Sequence, residues 1–305
     1  MTAFILKRLA HSLITLAIFL TLIFVFVRLS GNPADLYLPL NSTQEMRDAF
    51  AARIGLDQPI YVQFGRFVLD LMHLDFGDSF VREQPAMTVA LSAFPRTLML
   101  AALAMPVALL IAIPLGSAAA YRPFSIGGRT ATVGALTAAS VPDFWIGIMG
   151  VLWFSVMLGW LPTSGTGGWQ YWVLPVVALA ARPAGILAQV VRGTMVQTLA
   201  SPYIKAARAK GVGKSALIFK HAFRNATLPV ITVGGEQLAG VLSGAIVVET
   251  IFGWPGIGKT MIDSILQRDF SVVQASAVVI ACSIFLLNIM IDILYARLDP
   301  RIRLG

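Results

Sequence analysis

Six apolar runs dictate what this 305-residue chain can fold into: residues 9–29, 97–121, 131–158, 172–191, 229–251 and 272–295. Each is long enough to cross roughly 30 Å of hydrocarbon as a helix. Inside a bilayer no water satisfies a backbone N–H or C=O, so such runs close their own hydrogen bonds and become α-helices. The expected fold class is all-α integral membrane, with six transmembrane helices. A soluble fold is excluded by the composition, 57% hydrophobic and 12% charged, where soluble domains carry about a quarter charged residues. The first run is too long, and too poor in small residues at its end, for a cleaved signal peptide, and reads as a retained anchor.

Charge then orients the spans. With the N-terminus inside, the inner segments hold Lys7, Arg8, Arg122, Arg129, seven basic residues of the loop 192–225, Arg297, Arg301 and Arg303, fourteen in all against the single acid Asp299. The outer segments 30–96, 159–171 and 252–271 hold seven basic and ten acidic residues. Retention of positive charge on the cytoplasmic side places both termini there. The net charge of +8 is thus a topology signal facing membrane lipids. It does not form a folded basic domain, which argues against a nucleic-acid partner.

The domains expected are an N-terminal anchor helix at 1–29, an external helical cap at 30–96, a five-helix core at 97–295 containing a cytoplasmic loop at 192–228, and a cytoplasmic tail at 296–305. Within the cap, 43–53 has helix-forming composition and Leu56-Asp57-Gln58-Pro59 breaks it. Residues 60–74 carry Tyr61, Phe64, Phe67, Val68 and Leu71 at helical spacing, and Asp75-Phe76-Gly77-Asp78 supplies a turn. Prolines punctuate the spans at Pro106, Pro114, Pro142, Pro175 and Pro183, and each removes an intrahelical hydrogen bond. Gly240 and Gly244 form a G-x-x-x-G pair, suited to close helix packing or to a moving interface.

Ionisable residues inside apolar runs are costly, on the order of 2.5–3.5 kcal/mol each at the bilayer centre. Arg182 and Glu236 lie deepest, and either pair with each other or face an aqueous translocation path. Asp143, Glu249 and Asp292 fall near run ends and read as interfacial. Cys282 is the only cysteine and suits a small apolar core position. The three histidines, His11, His73 and His221, are too scattered for a metal site.

The loop 192–225 has seven basic residues and no acid. Ala206, Ala207 and Ala209 make a short helix-forming run, Gly211 and Gly213 turn the chain, and Leu217, Ile218 and Phe219 follow with apolar surface. A helix-turn-helix with small residues on an exposed face is a socket for another protein. Gly213-Lys214-Ser215 imitates the end of a phosphate-binding loop, but Arg208 occupies the position of its first glycine and no strand precedes it. No nucleophile–base set or carboxylate pair marks an enzyme, and the chain carries no ATP site of its own.

These residues bear a family resemblance. Lys205-Ala206-Ala207, then Gly211, then Leu228-Pro229 resembles the coupling-loop signature of binding-protein-dependent ABC importer permeases, with Lys205 in place of the family's Glu and the Leu-Pro seventeen positions after Gly211. Both departures are similar to the dipeptide/oligopeptide/nickel branch. So are Gly55-Leu56-Asp57-Gln58-Pro59 with Tyr61 and Gln63-Phe64, Asp75-Phe76-Gly77, Gly159-Trp160-Leu161-Pro162, the stretch 247–258 around Glu249-Thr250-Ile251-Phe252-Gly253-Trp254-Pro255-Gly256, and Leu298-Asp299-Pro300-Arg301-Ile302-Arg303. Across essentially the whole chain the resemblance is to the first permease subunit of such importers.

The resemblance implies a type I ABC importer permease in the bacterial inner membrane, working by alternating access. Its partners would be a second homologous permease in a heterodimer, two ABC ATPase subunits, which would bind the ATP and Mg, and an external substrate-binding protein. It assigns ATPase coupling to Lys205, Ala206, Ala207, Gly211, Leu228 and Pro229. The substrate implied is a peptide, with nickel chelates, glutathione and opine-like solutes as alternatives within the branch. An ion-gradient-driven secondary transporter is the competing class. It would need inverted repeats with paired broken helices, and the two halves of the chain show no convincing repeat.

Overall fold

A computed structural model describes residues 2–29, 42–53, 55 and 57–298. Among these the regular structure is helical, with no strand beyond an isolated bridge between Asp78 and Pro85. Much of the outer segment before Ser42, the expected tail, and the side chain of Asp292 lie outside the described residues. Four helical stretches are long and apolar enough to span a membrane: Ala86–Tyr121, Gln170–Leu199, Ala216–Ile251 and Phe270–Ile291. The first run is helical over Thr2–Leu29 (α1), and Leu13–Phe26 is its apolar part.

The third run is broken at the proline that punctuates it. It is two helices, α5 (Ile126–Ser140) and α6 (Asp143–Gly150, continuing as a π-helical turn over Val151–Met157), bent by 102°. Counted as one span, the pair is the fifth. The cause is local. Val141 precedes proline and is extended, φ −79° and ψ 130°, as the clash of the proline ring with the preceding residue requires. The other prolines behave differently: Pro106 and Pro114 lie within α4 (Ala86–Tyr121), and Pro175 and Pro183 within α7 (Gln170–Leu199), each one continuous helix.

The chain divides into two compact units, Met1–Pro95 with Gly256–Phe285, and Arg96–Pro255 with Leu286–Gly305. The first unit contains α2 (Gln44–Arg53), α3 (Ile60–His73) and α10 (Ile257–Leu266), together with the start of α11 (Phe270–Leu298). Its core gathers Leu20, Phe24, Phe67, Phe76, Val89, Ile257, Val272 and Val278, with Phe64, Val68, Leu71 and Cys282 packed against it. Rings of Phe64 and Phe67 lie 5.3 and 5.4 Å from that of Phe24. Four of the five apolar residues expected on α3 thus face inward. Tyr61 does not, and stands 74% exposed. Leu74 in the left-handed conformation ends α3, and Asp75 Oδ1 accepts from the Gly77 N–H at 2.9 Å, making the turn that the Asp-Phe-Gly-Asp sequence signals.

In the second unit α7 is central, packed by α5, α6 and α9 (Phe223–Ile251). Glycines set two close approaches. A Cβ on Gly116 would lie 2.5 Å from the Ala188 carbonyl oxygen, and one on Gly185 would run into the backbone of α5 at Ala135 and Ala139. The G-x-x-x-G pair contributes less than its pattern suggests. Nothing lies within 4 Å of a Cβ at Gly240, and Gly244 meets side chains only. The end of α9 is fastened by Trp254: its ring sits edge-on to Trp172 at 4.4 Å, and its Nε1–H donates to the Arg96 carbonyl at 3.2 Å.

Candidate functional site

The basic loop folds as a helix, a turn and a helix. Within 192–225, Arg192 still belongs to α7. The short helix α8 (Pro202–Ala209) follows. Ser201 is extended at its N-cap and Pro202 occupies its first position, where a missing N–H costs nothing. Gly211, at φ +81°, reverses the chain, a conformation glycine adopts without the Cβ penalty. Around it the Gly211 N–H bonds to the Arg208 carbonyl at 3.0 Å and the Val212 N–H to the Ala207 carbonyl at 3.2 Å. A π-helical turn over Ala216–Ala222 then leads into α9.

One face of α8 is anchored and the other is bare. Ile204 is 1% exposed, and Leu217, Ile218 and Ala222 of the following turn are buried as well. Lys205, Ala206, Arg208, Ala209 and Gly211 are exposed and Ala207 is half-buried. Two contacts brace the loop that the sequence reading missed. Asn225 Nδ2 donates to the Tyr203 hydroxyl at 2.6 Å, and Lys214 Nζ lies 4.5 Å from the centre of the Tyr121 ring. Both join residues far apart in sequence, and neither residue type signals the pairing by itself. Leu228 and Pro229 do not lie in the loop. They are half-buried within α9, a turn and a half beyond its start.

The deep charges do not form the mutual pair that sequence left open. Arg182 on α7 and Glu236 on α9 are each exposed, and no ion pair within 4.0 Å joins them. Contacts of Leu179 with the Gly244 position (3.8 Å) and of Leu187 with the Gly234 position (4.0 Å) set α7 and α9 antiparallel. Both charged residues fall between these two contacts. Asp143, at the start of α6, lies where Leu179 of α7 meets the Gly244 position of α9, one turn along α7 from Arg182. Glu249 lies near the end of α9, as expected of it. Its side chain is fully buried and accepts a 2.5 Å hydrogen bond from Thr97 Oγ1.

A helical membrane chain with broken and proline-bearing spans, and a braced, exposed short helix between two of them, has the build of a transport component. Comparison with known proteins agrees. The family described as "Binding-protein-dependent transport system inner membrane component" matches residues 112–304, and the corresponding N-terminal family matches residues 1–101. The glutathione transport system permease protein GsiC of Salmonella paratyphi A is 38% identical over 304 residues, 99% of either chain, and GsiC of Escherichia coli strain K12 is 36% identical over the same extent. The fold is similar to that of the solved MetNI methionine ABC transporter in an inward-facing conformation, with TM-score 0.59 at 15% identity over 70% of this chain and 97% of that one. A solved amino acid ABC transporter gives TM-score 0.55 at 17% identity over 69% and 94%. This chain belongs to the family of binding-protein-dependent transport system inner membrane components and is the permease component of an ABC importer.

Proposed function

We propose that this chain is the first of two homologous permease subunits in an importer of small peptides, crossing the inner membrane six times with both termini in the cytoplasm. Two separate ATPase subunits bind ATP and Mg and hydrolyse the nucleotide, and an external binding protein delivers the solute. The topological parts are the anchor 1–29, the outer cap 30–96, the core 97–295 and the tail 296–305.

The observation that carries the reading is α8, a rigid helix held from beneath by Ile204 and from the side by the Tyr203–Asn225 bond, with its small-residue face open. Ala206 and Ala207 let an ATPase groove approach the backbone. Lys205 lies beside them, and Gly211 redirects the chain so that the helix protrudes. Leu228 and Pro229 begin the span that receives the motion. Moving a two-state equilibrium from 1:99 to 99:1 takes about 5.5 kcal/mol, and a seated helix transmits such a bias where a flexible loop dissipates it. ATP binding draws the docked helices together and turns the path outward. Hydrolysis returns it.

Arg182 and Glu236 are assigned to the path, because exposed charges on apolar spans are tolerated where they face water or a solute. A guanidinium suits a peptide carboxylate. The relatives named for glutathione transport favour a small anionic peptide, glutathione included.

The test is uptake by proteoliposomes holding this chain with the second permease and the ATPases, offered labelled glutathione and labelled dipeptide with and without the external binding protein. Uptake that needs both ATP and the binding protein is expected. Uptake independent of ATP in an intact assembly would overturn the coupling assignment, and ATP hydrolysis without peptide uptake would remove the substrate class alone.

A further inference from the structure

Three helices meet at one point in the second unit. Asp143 opens α6 directly after the break at Val141–Pro142. Its Oδ2 lies 3.0 Å from where a Cβ on Gly244 of α9 would stand, and that same position is 3.8 Å from Leu179 Cδ2 of α7. Arg182 follows Leu179 by three residues, about one turn and 4.5 Å along the helix. The glycine eases the approach of the carboxylate, since a Cβ there would press on it.

Neither charge is matched as a structural ion pair would be. Asp143 Oδ1 is enclosed and makes no hydrogen bond. Arg182 stands one turn along α7 from Leu179, whose side chain shares the Gly244 position with the Asp143 carboxylate, yet no ion pair within 4.0 Å joins the two. Within an apolar span, an acid and a base held close but apart leave the base able to take another anion, at an affinity set by the acid behind it.

We propose that Asp143 is a specificity-determining residue of the translocation path. It tempers the positive potential at Arg182, so that a passing carboxylate is recognised but not retained. The inference rests on the reading that Arg182 lines the path. It goes further in assigning Asp143, read from the sequence as an interfacial acid, a role in transport. The break at Pro142 contributes by turning the start of α6 toward α7 and α9, which a straight third span would not do.

Reagent rates at position 182 test it. The whole importer is assembled with Cys282→Ser and Arg182→Cys in this chain, and the introduced thiol is reacted in proteoliposomes with an anionic (sulfonatoethyl) and a cationic (trimethylammonioethyl) methanethiosulfonate. Asp143→Asn should raise the ratio of anionic to cationic rate by about tenfold, because loss of a unit negative charge near the thiol moves the two rates in opposite directions. Asp143→Glu, which keeps the charge, should leave the ratio within about twofold by the same reasoning. Should Asp143→Asn fail to assemble, Asp143→Ala removes the charge with less bulk and should raise the ratio by about the same factor. An unchanged ratio at a reactive thiol overturns the role of Asp143 and leaves Arg182 on the path. A thiol that neither reagent reaches overturns the assignment of Arg182 itself.

Discussion

Thr97 Oγ1 donates a hydrogen bond to Glu249 Oε1 at 2.5 Å, joining α4 to α9 through a carboxylate with no solvent exposure. The same glutamate's backbone carbonyl accepts from the Trp254 N–H at 2.8 Å. The residue therefore fixes both a helix pair and the turn that follows α9.

Removing the donor while keeping the shape should expose the contribution of this bond. Thr97→Val is expected to cost about 1–3 kcal/mol, the usual consequence of leaving a buried polar group with a lost partner. Glu249→Ala should cost more, since it also opens a cavity. Thermal unfolding of the detergent-solubilised protein measures both, and a Thr97→Val midpoint equal to that of the unchanged protein would contradict the assignment.

Gly211 is the position where the chain turns back after α8, at φ +81°. Nothing lies within 4 Å of a Cβ there, so Gly211→Val strains the backbone without a steric clash, by about 1–3 kcal/mol. Membrane insertion should survive while copurification of the ATPases, or coupling of hydrolysis to uptake, falls. Normal assembly together with normal uptake would sink the docking role.

Because Arg182 and Glu236 make no ion pair, their substitutions should behave independently. Arg182→Ala and Glu236→Ala are each expected to reduce uptake with little change in unfolding temperature, and the double variant should show the sum of the single stability effects within about 0.5 kcal/mol. Recovery of stability in the double variant would show that the two charges do pair.

Two glycines make opposite predictions. Gly185→Ala places a Cβ against the backbone of α5, 2.5 Å from the Ala139 nitrogen, and should destabilise by roughly 1–3 kcal/mol as overpacking does. Gly240→Ala meets open space and should be neutral or stabilising by about 0.5–1 kcal/mol, the ordinary helix advantage of alanine. Equal effects at the two positions in the isolated subunit would mean that the helix contacts are misassigned.

The positions of the apolar helices were legible because hydropathy acts residue by residue, and no partner is needed to know that a run of twenty apolar residues leaves water. The short helix of the basic loop was legible for a related reason. Its alanines continue it and Gly211 stops it, all local signals, while its start at Ser201-Pro202 came from the structure. The cap helix over Ile60–His73 followed from its apolar spacing, save that Tyr61 turned outward.

Sequence alone thus determined which segments are helical and apolar, where the short loop helix ends, and which family the motifs resemble. Tertiary structure decided the rest. Only Pro142 among the prolines singled out produced a bend of 102°, where the residue before it took up the extended conformation. Which glycines carry close contacts, Gly116 and Gly185 rather than Gly240, depended on which helix lies opposite each. Glu249 became a buried acceptor because Thr97, 152 residues away, stands beside it, and Arg182 and Glu236 form no ion pair although both fall between the two contacts of α7 with α9. A single strand of sequence gives local free energies. The partner of a charge, a glycine or a hydrogen-bonding side chain is set by the packing of distant helices, which no window along the chain contains.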